Sequence, residues 1–212
     1  MDKSQKAVAV FDKLAELYQN KFMDQSGFID TFELFCKSIP QPHARILEIA
    51  CGPGNITRYL LNMRPDFQIL GIDLAPRMVA LAKTNNPTAQ FEVMDARGIN
   101  QLPGKFDGIL CGFGLPYLSR EEAIQLIRHS ADLLNNSGII YLSTMEDDYS
   151  KSGLRKGSSG DEIYMHYHQA DYLTTALEEN GFQILSIQRK DYPEQNGDVT
   201  TDLVIIGCLI KF

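Results

Sequence analysis

Ile46-Leu47-Glu48-Ile49-Ala50-Cys51-Gly52-Pro53-Gly54-Asn55 decides how this chain of 212 residues is read. Ile46 to Ala50 has the length and apolar content of a buried strand, and Asn55 to Met63 has the spacing of a helix. Between them lie glycines at alternate positions. Glycine lets the backbone approach a ligand closely, and the free amides opening a helix suit a polar or anionic group. Taken alone, Gly52-Pro53-Gly54 is equally a tight turn between strand and helix.

The alternation continues downstream. Gln68 to Ile72, Phe91 to Met94, Phe106 to Cys111 and Ile139 to Ser143 read as strands, with helices over Pro76 to Lys83 and Glu121 to Leu134. Such alternation predicts an α/β fold: parallel strands, right-handed crossovers, and helices on both faces of a doubly wound sheet. Ser119 and Glu122 form a capping box ahead of the second of these helices, and Asn135-Asn136-Ser137-Gly138 is a turn-forming stop. After Thr144 a polar, glycine-containing stretch runs through Gly160. A helix follows from Gln169 to Asn180, with Gly181 suited to the left-handed position past its end. Strands Gln183 to Arg189 and Leu203 to Phe212 flank Asn196-Gly197, a hairpin-turn signal. Upstream, Val10, Phe11, Leu14, Leu17 and Tyr18 recur at helical spacing, and Phe32, Phe35, Cys36 and Ile39 repeat the pattern. Two helices are therefore expected there, the second ended by Pro40 and Pro42.

Acidic residues stand at two further strand ends. Asp73 lies 19 residues beyond Gly54, where a carboxylate in such a fold accepts from both ribose hydroxyls; its structural alternative is to cap the next helix. Asp95, in Phe91-Glu92-Val93-Met94-Asp95-Ala96, is placed to accept from an exocyclic amino group. Three acceptors at neighbouring strand ends would outline an adenosine-shaped site at the carboxyl edge of the sheet.

These residues resemble the class I S-adenosylmethionine-dependent methyltransferases, in particular their small-molecule branch. Glu48 through Gly54, including Ala50, is similar to the family's first motif, Asp73 to its ribose acid, and Asp95, followed by Ala96, to its adenine-contacting acid. Phe106 to Leu118 is similar to the fourth strand and the loop beneath the methionine half of the cofactor. The resemblance implies a seven-stranded sheet in the order 3-2-1-4-5-7-6 with strand 7 antiparallel. It also implies that Gly52 and Gly54 pass the methionine portion, that Leu74 and Met78 pack beside the adenine, and that Cys111 or Gly112 offers a carbonyl to the ammonium. Residues 1–39 would form a helical lid from which Tyr18 could touch the cofactor carboxylate, within a single domain over 1–212. Residues 45–144 would be the cofactor-binding half, and 145–212 an acceptor-side insert, helix and hairpin.

A nicotinamide-binding domain needs a third glycine where this chain has Thr57. The implied activity is methyl transfer to oxygen, nitrogen or carbon of a small metabolite. The alternative is a non-catalytic protein that binds or senses S-adenosylmethionine. Tyr117, His166 and His168 are the candidates at the acceptor, an imidazole serving as base, although His168 also reads as a helix cap with Asp171 three residues on. His166 and His168 at period-two spacing, even beside Glu146-Asp147-Asp148, do not define a coordination sphere, so no metal is expected.

The composition is globular, 44% hydrophobic and 22% charged, with a net charge of −7. There is no basic run of the kind that neutralises phosphates, nor an Asn-Pro-Pro-Tyr or Asp-Pro-Pro-Tyr tetrad after the fourth strand, so nucleic acid is not expected as a partner. No apolar run reaches the length of a membrane span, and Cys36, Cys51, Cys111 and Cys208 lack paired spacing. A soluble, cytoplasmic monomer or homodimer with free thiols is the resulting expectation.

Overall fold

The structure, a computed structural model, describes residues 3–156, 160–193 and 199–211. The expected Asn196-Gly197 turn lies outside them. Seven strands form one sheet: β1 (Arg45–Ile49), β2 (Gln68–Asp73), β3 (Gln90–Val93), β4 (Phe106–Cys111), β5 (Leu134–Glu146), β8 (Phe182–Pro193) and β9 (Val199–Leu209). Their order is β3-β2-β1-β4-β5-β9-β8. The first five pair in parallel, while β9 runs antiparallel to both β5 and β8. This is the topology that the resemblance implied. The numbering differs because the polar insert folds as a two-stranded antiparallel ribbon, β6 (Gly153–Lys156) with β7 (Glu162–Met165).

Helices cover both faces, and the strand sequences show why. In β1, Leu47 and Ile49 join a core cluster with Leu126 and Ile127 of α6 (Arg120–Leu133) and Leu173 and Leu177 of α7 (Ala170–Glu179). Ile46 instead joins Phe32 and Phe35 of α3 (Ile29–Lys37) and Ile56 and Leu60 of α4 (Asn55–Met63). A period of two thus feeds alternate side chains to opposite layers. The next crossover helix, α5 (Pro76–Asn85), buries Val79 and Ala82 with Cys51 and Phe91.

Three expectations need correction. The amino-terminal cover is α1 (Lys3–Lys13), α2 (Ala15–Phe22) and α3, three helices rather than two, because Leu14 leaves helical geometry at φ −101, ψ 12. The cluster Asn135 to Gly138 does not separate helix from strand. β5 begins at Leu134, which pairs with Phe106 before a register shift that places Gly108 opposite Ile139. Nor does His168 cap α7: the N-cap is Gln169, without a side-chain bond, and the Ala170 amide donates to Glu146 Oε1 at 3.1 Å. The capping box at Ser119 and Glu122 is present as read.

The turn between β1 and α4 is held by its second glycine. Gly54 has φ 77, and a Cβ there would lie 2.3 Å from Asn86 Nδ2, which donates to the Gly54 carbonyl at 2.9 Å. Gly54→Ala therefore combines a left-handed backbone penalty with overpacking and should destabilise the fold by about 2–4 kcal/mol. Thermal melting should register a fall on the order of 10 °C; an unchanged melting temperature would contradict this packing role.

Candidate functional site

At the carboxyl edge of the sheet a pocket enclosing, with its mouth, about 870 Å³ gathers the ends of β1, β2, β3 and β4 under the amino-terminal helices. Volumes of this size suit a small ligand or cofactor. Tyr18, Ala50, Gly52, Asp73, Leu74, Met78, Asp95, Ala96, Cys111, Gly112 and Tyr117, all singled out by sequence, line it. Glu48, Gly54, His166 and His168 do not.

Asp73 ties two turns together. Its Oδ2 accepts from the Gly52 amide at 2.9 Å and its Oδ1 from the Ala75 amide at 2.9 Å, the latter at the N-cap of α5. Asp73 does not itself cap α5, whose N-cap Ala75 has no side-chain cap; its bond to the Ala75 amide closes the turn ahead of the helix. Burial is the larger influence on this carboxyl and pushes its pKa up, while the amides of Ala75, Gly52 and Leu74 oppose the shift. One strand over, Asp95 accepts from its neighbour's backbone, the Arg97 amide at 2.9 Å, and pairs with the Arg97 guanidinium at 2.6 Å. Burial raises the Asp95 pKa, but the Arg97 contacts outweigh it and leave the carboxyl below its usual range. Arg97 also reaches Glu122 at 3.3 Å, so the capping residue of α6 braces the wall of the pocket.

Glu48 and Gly54 work from behind the wall. Glu48 is 1% exposed and accepts a short hydrogen bond from the Thr57 hydroxyl, linking β1 to α4. Burial pushes its pKa up to about 8 against the pull of Thr57. The residue that argued against a nicotinamide fingerprint thus has a structural task of its own.

The backbone at the edge is bent as well. Ala50 and Phe113 adopt φ 55 and φ 54 without being glycine, a conformation that costs side-chain-bearing residues on the order of 1–2 kcal/mol and concentrates at functional sites. Gly112 is needed where it stands, because a Cβ would lie 2.2 Å from Ile56 Cδ1.

The cover closes on this edge through specific contacts. Asp12 of α1 accepts from the Arg77 amide at 2.7 Å, capping α5 from outside. Phe11 meets Tyr117 edge-on at 5.0 Å and Tyr18 at 5.8 Å, and Tyr18 Cε1 would lie 3.8 Å from a Cβ on Gly52. Burial first, then the Asp73 charge, push the Tyr18 hydroxyl up to about 12; burial also raises Tyr117.

The two histidines stitch the insert to the pocket loop from the far side. The His166 amide donates to the Pro116 carbonyl at 2.8 Å. His168 is fully buried, with Nε2 2.8 Å from the Leu115 carbonyl and Nδ1 in a short bond to the Tyr172 hydroxyl. Burial lowers its pKa to about 4, so at neutral pH the ring is neutral and both nitrogens are already engaged. Sequence reasoning missed Arg97 and Phe113. An Asp-x-Arg turn at the end of a strand could have flagged the first, whereas nothing in the sequence marks a left-handed phenylalanine.

Comparison with known proteins agrees with this architecture. Residues 46–138 match the family model described as a methyltransferase domain. A malonyl-acyl-carrier protein O-methyltransferase of Ilyobacter polytropus is 28% identical over 137 residues, covering 63% of this chain and 50% of that protein. The chain spans about half the length of the curated relatives it matches. Among solved structures, the S-adenosylmethionine-bound magnesium protoporphyrin IX methyltransferase of Synechocystis superposes with a TM-score of 0.71 at 17% identity, over 99% of this chain and 98% of that one. The 1,6-didemethyltoxoflavin-N1-methyltransferase of Burkholderia thailandensis, solved with 1,6-didemethyltoxoflavin and S-adenosylhomocysteine, gives 0.70 at 18%, over 98% and 88%. At these identities the structural likeness is one of fold.

The His168 environment has a pH signature. A folded pKa below the unfolded value gives stability that is complete above about pH 6.5 and is lost as pH falls toward 4. Denaturant unfolding of wild type and His168→Gln should therefore show a stability difference that shrinks by about 2–3 kcal/mol between pH 7 and pH 4; groups common to both proteins, such as Asp202, cancel. A constant difference would mean that the imidazole is not held neutral.

Proposed function

We propose, from the match of residues 46–138 to a methyltransferase-domain model and from the pocket described above, that the chain is a class I S-adenosylmethionine-dependent methyltransferase that transfers a methyl group to oxygen, nitrogen or carbon of a small metabolite. The observation that carries this reading is the convergence of Asp73, Asp95 and the bend at Ala50 and Gly52 on one pocket.

The donor set fits the cofactor. Asp73 stands at the end of β2 with its oxygens anchored by amides, and each oxygen keeps a lone pair for a ribose hydroxyl. Asp95 is fixed in orientation and charge by Arg97, which suits it to accept from the adenine amino group. Leu74 and Met78 supply the apolar surface beside the base, with Ala96 at the same end. Gly52, Ala50, Cys111 and Gly112 bring backbone close to the methionine end, and the Tyr18 hydroxyl, protonated at neutral pH, is a donor for its carboxylate. Bound S-adenosylmethionine supplies an electrophilic methyl on a sulfonium. The chain supplies alignment: the cover of α1 and α2 excludes water, and positioning alone removes much of the barrier of such a transfer. Tyr117 is the side chain we assign to orienting the acceptor.

A purely cofactor-sensing protein would use the same adenosyl contacts, so turnover separates the two readings. Calorimetry should show S-adenosylhomocysteine binding to the wild type and NAD failing to bind. Asp73→Ala should weaken the former by about 10- to 100-fold, the loss of one or two charged hydrogen bonds. Equal affinity in a folded Asp73→Ala protein would remove the ribose assignment and with it the reading.

A further inference from the structure

The walls left over once the adenosyl contacts are assigned have an unusual composition. Phe11 from α1, Tyr18 from α2, and Phe113 and Tyr117 from the loop after β4 bring four aromatic rings to the pocket. Their packing is specific: Phe11 lies edge-on to both tyrosines, and Phe113 is edge-on to Phe28 at 5.4 Å. Among the described residues no lysine or histidine lines the pocket, and the one cation that does, Arg97, is held by Asp95 and Glu122. Both carboxylates of the lining are engaged as well, Asp73 by two amides and Asp95 by Arg97.

An anionic acceptor would find no lining cation that is not already held by carboxylates, and the one carboxylate without a cation, Asp73, is assigned to the ribose, so a fixed charge on the acceptor would be left unpaired, which is costly. A wall built from four aromatic side chains favours an aromatic guest. The remaining polar groups at this end are two tyrosine hydroxyls. Burial and the Asp73 charge raise both pKa values, so at neutral pH they donate hydrogen bonds and do not take protons.

Resting on the methyl-transfer reading, we propose that the acceptor is a neutral ring compound bearing an ionisable hydroxyl, a phenol or enol, clasped by Phe11, Phe113 and Tyr117, with the Tyr117 hydroxyl donating to the reacting oxygen. That oxygen forms the bond to the methyl carbon. The methyl–sulfur bond breaks with its electron pair going to sulfur, which becomes a neutral thioether, and the hydroxyl proton passes to bulk solvent at the mouth of the pocket, outside the covered reacting centre. No side chain of the lining takes the proton, so the acceptor's own acidity sets the pH dependence.

The test uses the full chain with 2-naphthol, citrate and benzylamine as probes, and with phenol and 4-nitrophenol as a pair of differing acidity. Quenching of naphthol fluorescence should report saturable binding to the S-adenosylhomocysteine complex, and incubation with S-adenosylmethionine should yield the methyl ether. Citrate and benzylamine at equal concentration should react at least about tenfold more slowly, the discrimination that one unpaired buried group provides. The pH–rate curve should shift between phenol and 4-nitrophenol in step with their own ionisation. Tyr117→Phe should lower kcat for naphthol about tenfold with S-adenosylhomocysteine affinity unchanged. Faster methylation of citrate or benzylamine, a pH curve common to both phenols, or no naphthol binding by a protein that binds S-adenosylhomocysteine normally would each overturn the proposal. A protein that fails to bind S-adenosylhomocysteine would instead indict the reading beneath it.

Discussion

The Asp73 carboxylate is the constraint on which the rest of the structure depends. It stands at the end of β2 and receives an amide from each of two turns, Gly52 after β1 and Ala75 before α5. Hydrogen bonds to an ionised group contribute roughly 1.5–3 kcal/mol each. One side chain thereby sets the distance between the glycine bend and the second crossover helix, and with it the width of the pocket. The bend carries strain at Ala50, which is left-handed without being glycine, and it persists because Asp73, Asn86 and the Thr57–Glu48 bond hold it from three sides.

The cover depends on the same construction. The α5 N-terminus, tied to Asp73 from within, receives Asp12 of α1 from outside, so the amino-terminal cover is registered against the pocket wall by a cap. Aromatic contacts from Phe11 and Tyr18 then close the space above Gly52 and beside Tyr117. The pair Lys13–Asp161 at 3.0 Å joins the cover to the insert, but its lysine is 65% exposed, and such pairs add little. The cover is held besides by Val8, Phe11 and Ala15 packed against Ala75 and Met78, and by hydrogen bonds from Asn85 to Gln19 and from Asn55 to the Phe22 carbonyl.

Much of this was legible in the sequence. Strand–turn–helix alternation has a period that side chains must obey, so β1 to β5, their helices and the acids at positions 73 and 95 could be placed directly. Individual roles were less legible because they depend on neighbours distant in the chain. Gly54 reads as a ligand contact and proves to be a packing position against Asn86. His168 reads as a cap or a base and proves to be a buried strut between Leu115 and Tyr172. Arg97 covers Asp95 through a local turn that hydrophobic periodicity does not register, and β6 and β7, four residues each and the first mostly polar, are too short to announce a ribbon.

The central claim is that positions 52, 75, 96 and 112, which line one pocket, border a single bound cofactor from its adenine to its methionine end. The most direct measurement is an amide-resolved NMR titration of the chain with S-adenosylhomocysteine. The account predicts saturable shifts largest at Gly52, Ala75, Ala96 and Gly112, all with one dissociation constant. Saturable shifts confined to another edge of the sheet, or none at these four positions, would contradict it.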